Sequence, residues 1–234
     1  MDRIERKELK HDKFVEQVGQ TVEFAAAHRT LFVRIGSAVL ALLVLSAGIY
    51  YYRQSQHNKR QDALREALRV QNGQVGQASN EFFATFPTVE AKEKATEKAW
   101  QDLATKYPET DEGYIALFYL GTSNADKGNV AEAEKYLKRV AEGASKPYAS
   151  QAKLSLAQIY ASANRVAEAE KLLRDLINNP TILVSKDQAT ISLANVLSKS
   201  NPVEARKLLE PMRTEPGAAG RAAIGALGQL GTAR

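Results

Sequence analysis

At 234 residues the chain has room for one ordinary domain and an extension, because domains mostly run about 100 to 200 residues. Cysteine is absent, which excludes disulfides, thiolate metal sites and a cysteine nucleophile. Lys and Arg number 32 against 27 Asp and Glu, a net charge of +5 with the two signs interspersed, so the chain reads as a solvated surface and not as a nucleic-acid partner.

Residues 1–30 form the first predicted element. A charged start, DRIERKELKHDK, gives way to Phe14, Val18 and Val22 at four-residue spacing, with Val15 and Ala25 beside them. That spacing predicts a short amphipathic helix, which serves either as a solvated arm or as a helix lying in a headgroup plane or docking on a partner subunit. The second element, residues 31–53, contains Ile35 to Tyr52, a stretch without a single charge. At 1.5 Å per residue it covers about 27 Å, and Leu31 to Arg34 extend it to bilayer length, so it predicts a transmembrane helix that binds a lipid bilayer. Tyr50, Tyr51 and Tyr52 followed by Arg53 suit the membrane interface. The preceding 34-residue arm is long for a signal n-region and no small-x-small site follows the apolar stretch before the tyrosines, so an uncleaved anchor is expected and not a signal peptide. The flanking charges, Arg29 and Arg34 before it and Arg53, Lys59, Arg60 and Arg65 after it, lean against a cytoplasmic N-terminus, but a long C-terminal domain translocates largely regardless of charge.

Residues 54–76 are the third element. Ala63, Leu64, Ala67 and Leu68 continue a helical pattern until Asn72, Gly73 and Gly76 break it. From 77 to 216 the apolar residues recur at three and four, which predicts an all-α region. It also repeats itself. Ala133, Ala169 and Ala205 stand 36 residues apart within GNVAEAEKYL, NRVAEAEKLL and PVEARKLL, and Leu120-Gly121, Leu156-Ala157 and Leu193-Ala194 echo the same step. Two helices of a hairpin approach closely only where side chains are small. Gly121, Ala157 and Ala194 are therefore expected to face Ala133, Ala169 and Ala205, with Leu120, Leu137, Val140, Leu156, Leu173, Leu176, Leu193 and Leu209 filling around them. Pro147, Pro180 and Pro216 each follow a second helix, where the chain turns into the next unit. One hairpin cannot bury its own apolar face, so the units must stack. The boundaries expected are 77–110, 114–147, 150–181 and 187–216, the first degenerate and ending on Trp100, Leu103 and Tyr107-Pro108. A capping helix over 217–234 follows, weakened by Gly217, Gly220, Gly225, Gly228 and Gly231.

These small pairs and closing prolines resemble the tetratricopeptide repeat, a family of helix hairpins with a period near 34. The fold class expected is thus all-α: one transmembrane helix, then a tetratricopeptide-like superhelix of antiparallel helix hairpins. The order of charged arm, single anchor and small repeat domain is similar to the YfgM-like proteins, ancillary subunits of the bacterial Sec translocon. That resemblance implies a single-pass protein of the bacterial inner membrane with a cytoplasmic arm and a periplasmic repeat domain. It also implies the Sec translocon, periplasmic chaperones and translocating chains as partners.

The three histidines, His11, His28 and His57, do not stand at metal-ligand spacing, and no nucleotide-binding or hydrolase motif is present, so the expectation is a non-enzyme without cofactor, metal or small-molecule substrate. Glu132, Glu134, Glu168 and Glu170 recur with the repeat and read as the solvated face of the second helices. A binding groove is more productive. The first helix of each hairpin lines the inner wall, and fixed offsets from the small residue put Tyr114, Phe118 and Thr122 there in one unit. The same offsets give Ser150, Leu154 and Gln158 in the next, then Asp187, Ile191 and Asn195. Lys and Arg are missing from all of these positions, which argues against a carboxylate clamp and for an extended, partly apolar polypeptide as ligand. The other reading of Phe118, Leu154 and Ile191 is that they pack between hairpins. The alternative to a groove ligand is a structural protein that associates with itself.

Overall fold

The computed structural model describes residues 27–76 and 83–232, so nearly all of the predicted N-terminal arm lies outside the described residues. The chain divides into two compact units, Met1–Lys59 and Arg60–Arg234. Helix α1, Arg29–Gln71, is continuous across that division. The predicted anchor and the predicted juxtamembrane helix are therefore parts of one 43-residue element, about 65 Å long at 1.5 Å per residue.

In the first unit α1 carries no charge from Ile35 to Tyr52. An 18-residue window of it reaches a mean hydropathy of 2.1, and none of that window is buried by protein. Its two serines close on their own helix, Ser37 Oγ donating to the Arg34 carbonyl and Ser46 Oγ to that of Leu43, each at 2.9 Å. These bonds satisfy both serine hydroxyls of the apolar stretch within its own helix.

The second unit begins with the end of α1. A parallel pair of two-residue strands follows, β1 Gln74–Val75 and β2 Thr85–Phe86. After it come α2 Val89–Lys106, α3 Asp111–Asp126, α4 Val130–Gly143, α5 Lys146–Ser162, α6 Val166–Asn178, α7 Lys186–Leu197 and α8 Pro202–Leu209. A 3-10 turn over Glu210–Thr214 leads into α9, Ala218–Thr232. Local chemistry explains the starts. Thr88, Thr110, Ser185 and Asn201 accept a backbone N–H in the first turns of α2, α3, α7 and α8, and Pro147 and Pro202 occupy first-turn positions where a missing N–H costs nothing.

Helices α3/α4, α5/α6 and α7/α8 are the three expected hairpins, each helix packing on the next along the chain. The 36-residue step is visible in the core. Leu137, Leu173 and Leu209 are at most 1% exposed, and Val140, Leu176 and Met212 follow them three positions later, also buried. Helices approach closely at Gly121, where an added Cβ would sit 2.7 Å from Leu137 Cγ and 3.4 Å from the Ala133 carbonyl oxygen. A third set of small residues, not singled out in the sequence, does the same work: Ala116, Ala152 and Ala189 are each 0% exposed.

The turns inside the first two hairpins are equivalent as well. Gly128 has φ +79° and Asn164, 36 positions on, has φ +59°. In both, the next residue's N–H reaches back into the first helix, Asn129 to Asn124 at 2.8 Å and Arg165 to Tyr160 at 2.7 Å. Gly and Asn are the residues that tolerate this left-handed conformation most cheaply.

Among its described residues the unit from 77 to 110 holds one helix, α2, which packs on α3 and shares the core with the end of α1 through Ala67 and Trp100. In the cap, Gly217 stands outside the helix with φ +92°, at its entry, and α9 runs unbroken with Ala223 and Ala226 buried on the last hairpin.

Candidate functional site: a protein-interaction surface

The residues predicted to line the inner wall fall into three groups. Leu154 is 3% exposed and Ser150 4%, so neither has surface to offer a ligand. Ser150 Oγ is committed to the Pro147 carbonyl at 2.7 Å and to the Thr181 hydroxyl at 2.6 Å, which ties the start of α5 to the loop before α7. Leu154 thus belongs to the core between hairpins and is withdrawn from the groove. Tyr114, Phe118, Thr122, Asp187 and Ile191 are half-buried. The Tyr114 hydroxyl lies over Gly143, where an added Cβ would collide with it, so this side chain chiefly packs α3 on the end of α4. Phe118 meets Tyr119 edge to face at 6.2 Å.

Gln158 and Asn195 form the third group. Both are exposed, and the structure brings them together across α5 and α7 in a pocket of about 270 Å³. Ala157, Ala161, Leu173 and Val196 make its apolar floor, and Ser192 adds a hydroxyl. No charged side chain lines it. Two amides above small apolar residues suit an uncharged extended segment, whose main-chain N–H and C=O groups the amides can meet.

The repeated glutamates are ion-paired more deeply than a solvated face requires. Glu134 on α4 accepts from Arg165 Nη1 at 2.7 Å and Tyr160 Oη at 3.0 Å, and pairs with Lys138 at 2.7 Å. The guanidinium of Arg165 also lies over the Tyr160 ring, 4.0 Å from its centroid. Bonds from Arg165 and then Lys138 hold the Glu134 carboxyl down at about 2, against the opposing effect of desolvation. One step along, Arg174 on α6 joins Glu170 of its own helix to Glu204 of α8 at 2.5 Å. Successive second helices are thus stitched together, and these carboxylates have structural partners.

Sequence reasoning missed what the irregular start of the repeat domain builds. Glu112, 3% exposed on α3, accepts from Gln61 Nε2 at 2.6 Å and Arg60 Nε at 3.1 Å, pinning the end of α1. Burial raises the Glu112 carboxyl, but its own backbone amide, Gln61 and Arg60 together outweigh that and hold it below its usual range. Nearby, Trp100 and Tyr119 stack with centroids 4.4 Å apart and planes 10° from parallel, and Trp100 Nε1 donates to Gln71 Oε1 at 2.9 Å. Beside this stack a cleft of about 510 Å³ opens between α2 and α3. A lone Trp and an unremarkable Thr96 were the only sequence signals, and neither repeats.

Compared with known proteins, the chain matches the tetratricopeptide repeat model over residues 97–149 and 120–181. No curated protein and no solved structure matches it. That match points to binding of other proteins.

Proposed function

We propose that this tetratricopeptide-repeat chain is a membrane-anchored scaffold that recruits polypeptides along the first-helix face of its repeats. The observation that carries the reading is the uncharged pocket in which repeat-equivalent Gln158 and Asn195 stand free above an alanine-rich floor. Their amides make no side-chain hydrogen bond among the described residues, so an incoming main chain gains bonds without displacing existing ones. The anchor is the apolar part of α1, whose serine hydroxyls are already satisfied by helix carbonyls, as a hydrocarbon surrounding demands. Tethering raises the effective concentration of partners at the membrane, so modest groove affinity suffices.

The arm, anchor and repeat order favours a bacterial inner-membrane protein with a periplasmic repeat domain, placed at the protein-export translocon or another envelope assembly. Its partners there are translocating chains or soluble chaperones. A photoreactive residue at Gln158, compared with one at the exposed Lys171, tests this in intact cells. We expect adducts with envelope or translocon proteins from position 158 only. Adducts equal at both positions overturn the groove, and adducts only with a second copy of this chain replace it by self-association. A reporter fused after Arg234 and active only in the cytoplasm would overturn the topology.

A further inference from the structure

The starts of the first helices and the ends of the second helices share one edge of the repeat domain. Tyr114, near the start of α3, lies over Gly143 at the end of α4. Only Ala144 and Ser145 separate α4 from α5, whose Lys153 reaches Asp175 near the end of α6 at 2.6 Å. The end of α1 enters at this same edge, because Arg60 and Gln61 meet Glu112, the second residue of α3. Eight residues of chain lead from Tyr52, the last of the uncharged stretch, to Arg60, a reach of at most about 29 Å however they are arranged.

One turn on this edge is longer than its neighbours. Between α6 and α7 the seven residues 179–185 stand where two join α4 to α5. The Thr181 N–H donates to the Val184 carbonyl at 2.9 Å and the Val184 N–H to Thr181 Oγ1 at 3.1 Å, so the turn is closed from both sides. Val184 is 0% exposed, and the Ser150–Thr181 bond at 2.6 Å fastens the turn to α5. At its tip stand Ile182, 91% exposed, and Leu183, 42% exposed. Turn tips favour Gly, Asn, Asp and Ser, and Ile182 buries almost nothing in its own fold, so folding does not explain an isoleucine there.

We propose that this tip dips into the headgroup boundary of the bilayer that holds α1, giving the repeat domain a lipid contact of its own. The proposal rests on the anchor reading of α1, which brings a lipid surface within that short reach of this edge. Lys146 and Lys186, exposed at the first positions of α5 and α7, oppose the helix dipole where they stand and find a better partner in a lipid phosphate. Glu142 at the end of α4 and Asp187 on α7 balance these two cations, so the contact is apolar in origin and needs no anionic lipid. The same balance gives no steering to an acidic or a basic partner protein.

The chain has no cysteine, so a single introduced one reports a single position. Pro180→Cys beside the tip, Val203→Cys and, inside α1, Leu43→Cys each carry a nitrobenzoxadiazole label in the full chain in phosphatidylcholine nanodiscs. Val203 is the matched control: it is apolar and 79% exposed, but it stands in the first turn of α8, beside the end of α7 and so at the opposite edge. We expect lipids with a shallow nitroxide to quench the label at 180 at least ~3-fold more than that at 203. Ile182→Asp, at a position too exposed to unfold the domain, should bring position 180 down to the level of 203. Equal quenching at 180 and 203, or quenching at 180 that Ile182→Asp leaves unchanged, overturns the contact. A blue-shifted label at 180 that no lipid nitroxide quenches shows a protein pocket around the tip and overturns the lipid assignment. Quenching at 43 without quenching at 180 overturns this inference and leaves the anchor standing, whereas quenching at neither overturns the anchor reading as well.

Discussion

The three regular hairpins, from α3 to α8, and the irregular start, from Arg60 to Lys106, solve the same packing problem with different chemistry. In the hairpins, small residues let backbones approach and one leucine per unit fills the gap, so Leu137, Leu173 and Leu209 are almost fully buried. Their surfaces are held by ion pairs in repeat phase. The start has no such leucine set and relies on a stacked Trp100 and Tyr119, a Trp100–Gln71 hydrogen bond and the buried Glu112 with Arg60 and Gln61. Apolar filling tolerates no vacancy, whereas directional bonds between a few large side chains can hold two elements while leaving space between them.

The comparison can be broken most sharply in the hairpins. Leu173→Ala should cost about 3 kcal/mol in denaturant unfolding, since the residue is 1% exposed and its surroundings are helices that cannot collapse far. A loss near zero would mean that the stack is not tightly packed. Glu112→Ala should cost less, about 1–2 kcal/mol, because the stranded Arg60 is 26% exposed and finds water. If it cost as much as Leu173→Ala, the start would be as rigid as the hairpins.

Acid unfolding sharpens the contrast between second helices. The folded Glu134 carboxyl titrates at about 2 and the unfolded one near 4.5, so its contribution is complete above pH 4.5 and is lost as the pH falls toward 2. Its partners Arg165 and Lys138 are 34% and 51% exposed, which discounts the effect to about 1–2 kcal/mol. Glu134→Gln should flatten stability against pH in that window, and an unchanged slope would show that the inter-hairpin network contributes nothing. The smallest effect is expected at the turn. Asn164→Gly should be within about 0.5 kcal/mol of wild type, while Asn164→Val should lose about 1 kcal/mol at the left-handed position. Equal stabilities would place no demand on that turn.

The hairpins were legible because their code is periodic: a small residue recurring at 36 positions and a leucine four positions on can be read from a single chain. Gln158 and Asn195 were reachable by the same offsets, and the structure does place them in one pocket. For Leu154 both readings stood open, groove or packing, because offsets along a helix give a face but not the depth at which the neighbouring helix covers it; at 3% exposed it packs. Glu112 was missed for a different reason. It takes its meaning from Arg60, 52 positions away, and such a pairing leaves no periodic trace.

By itself, then, the sequence determined the apolar helix, the count and step of the hairpins and the small residues at their contacts, since these follow from local spacing and side-chain volume. Only the tertiary structure decided that Glu112 meets Arg60 and Gln61, that Trp100 stacks on Tyr119, and that Gln158 and Asn195 share one pocket. Those features depend on which surfaces meet once helices pack, and the free energy of that meeting is not written in any one segment.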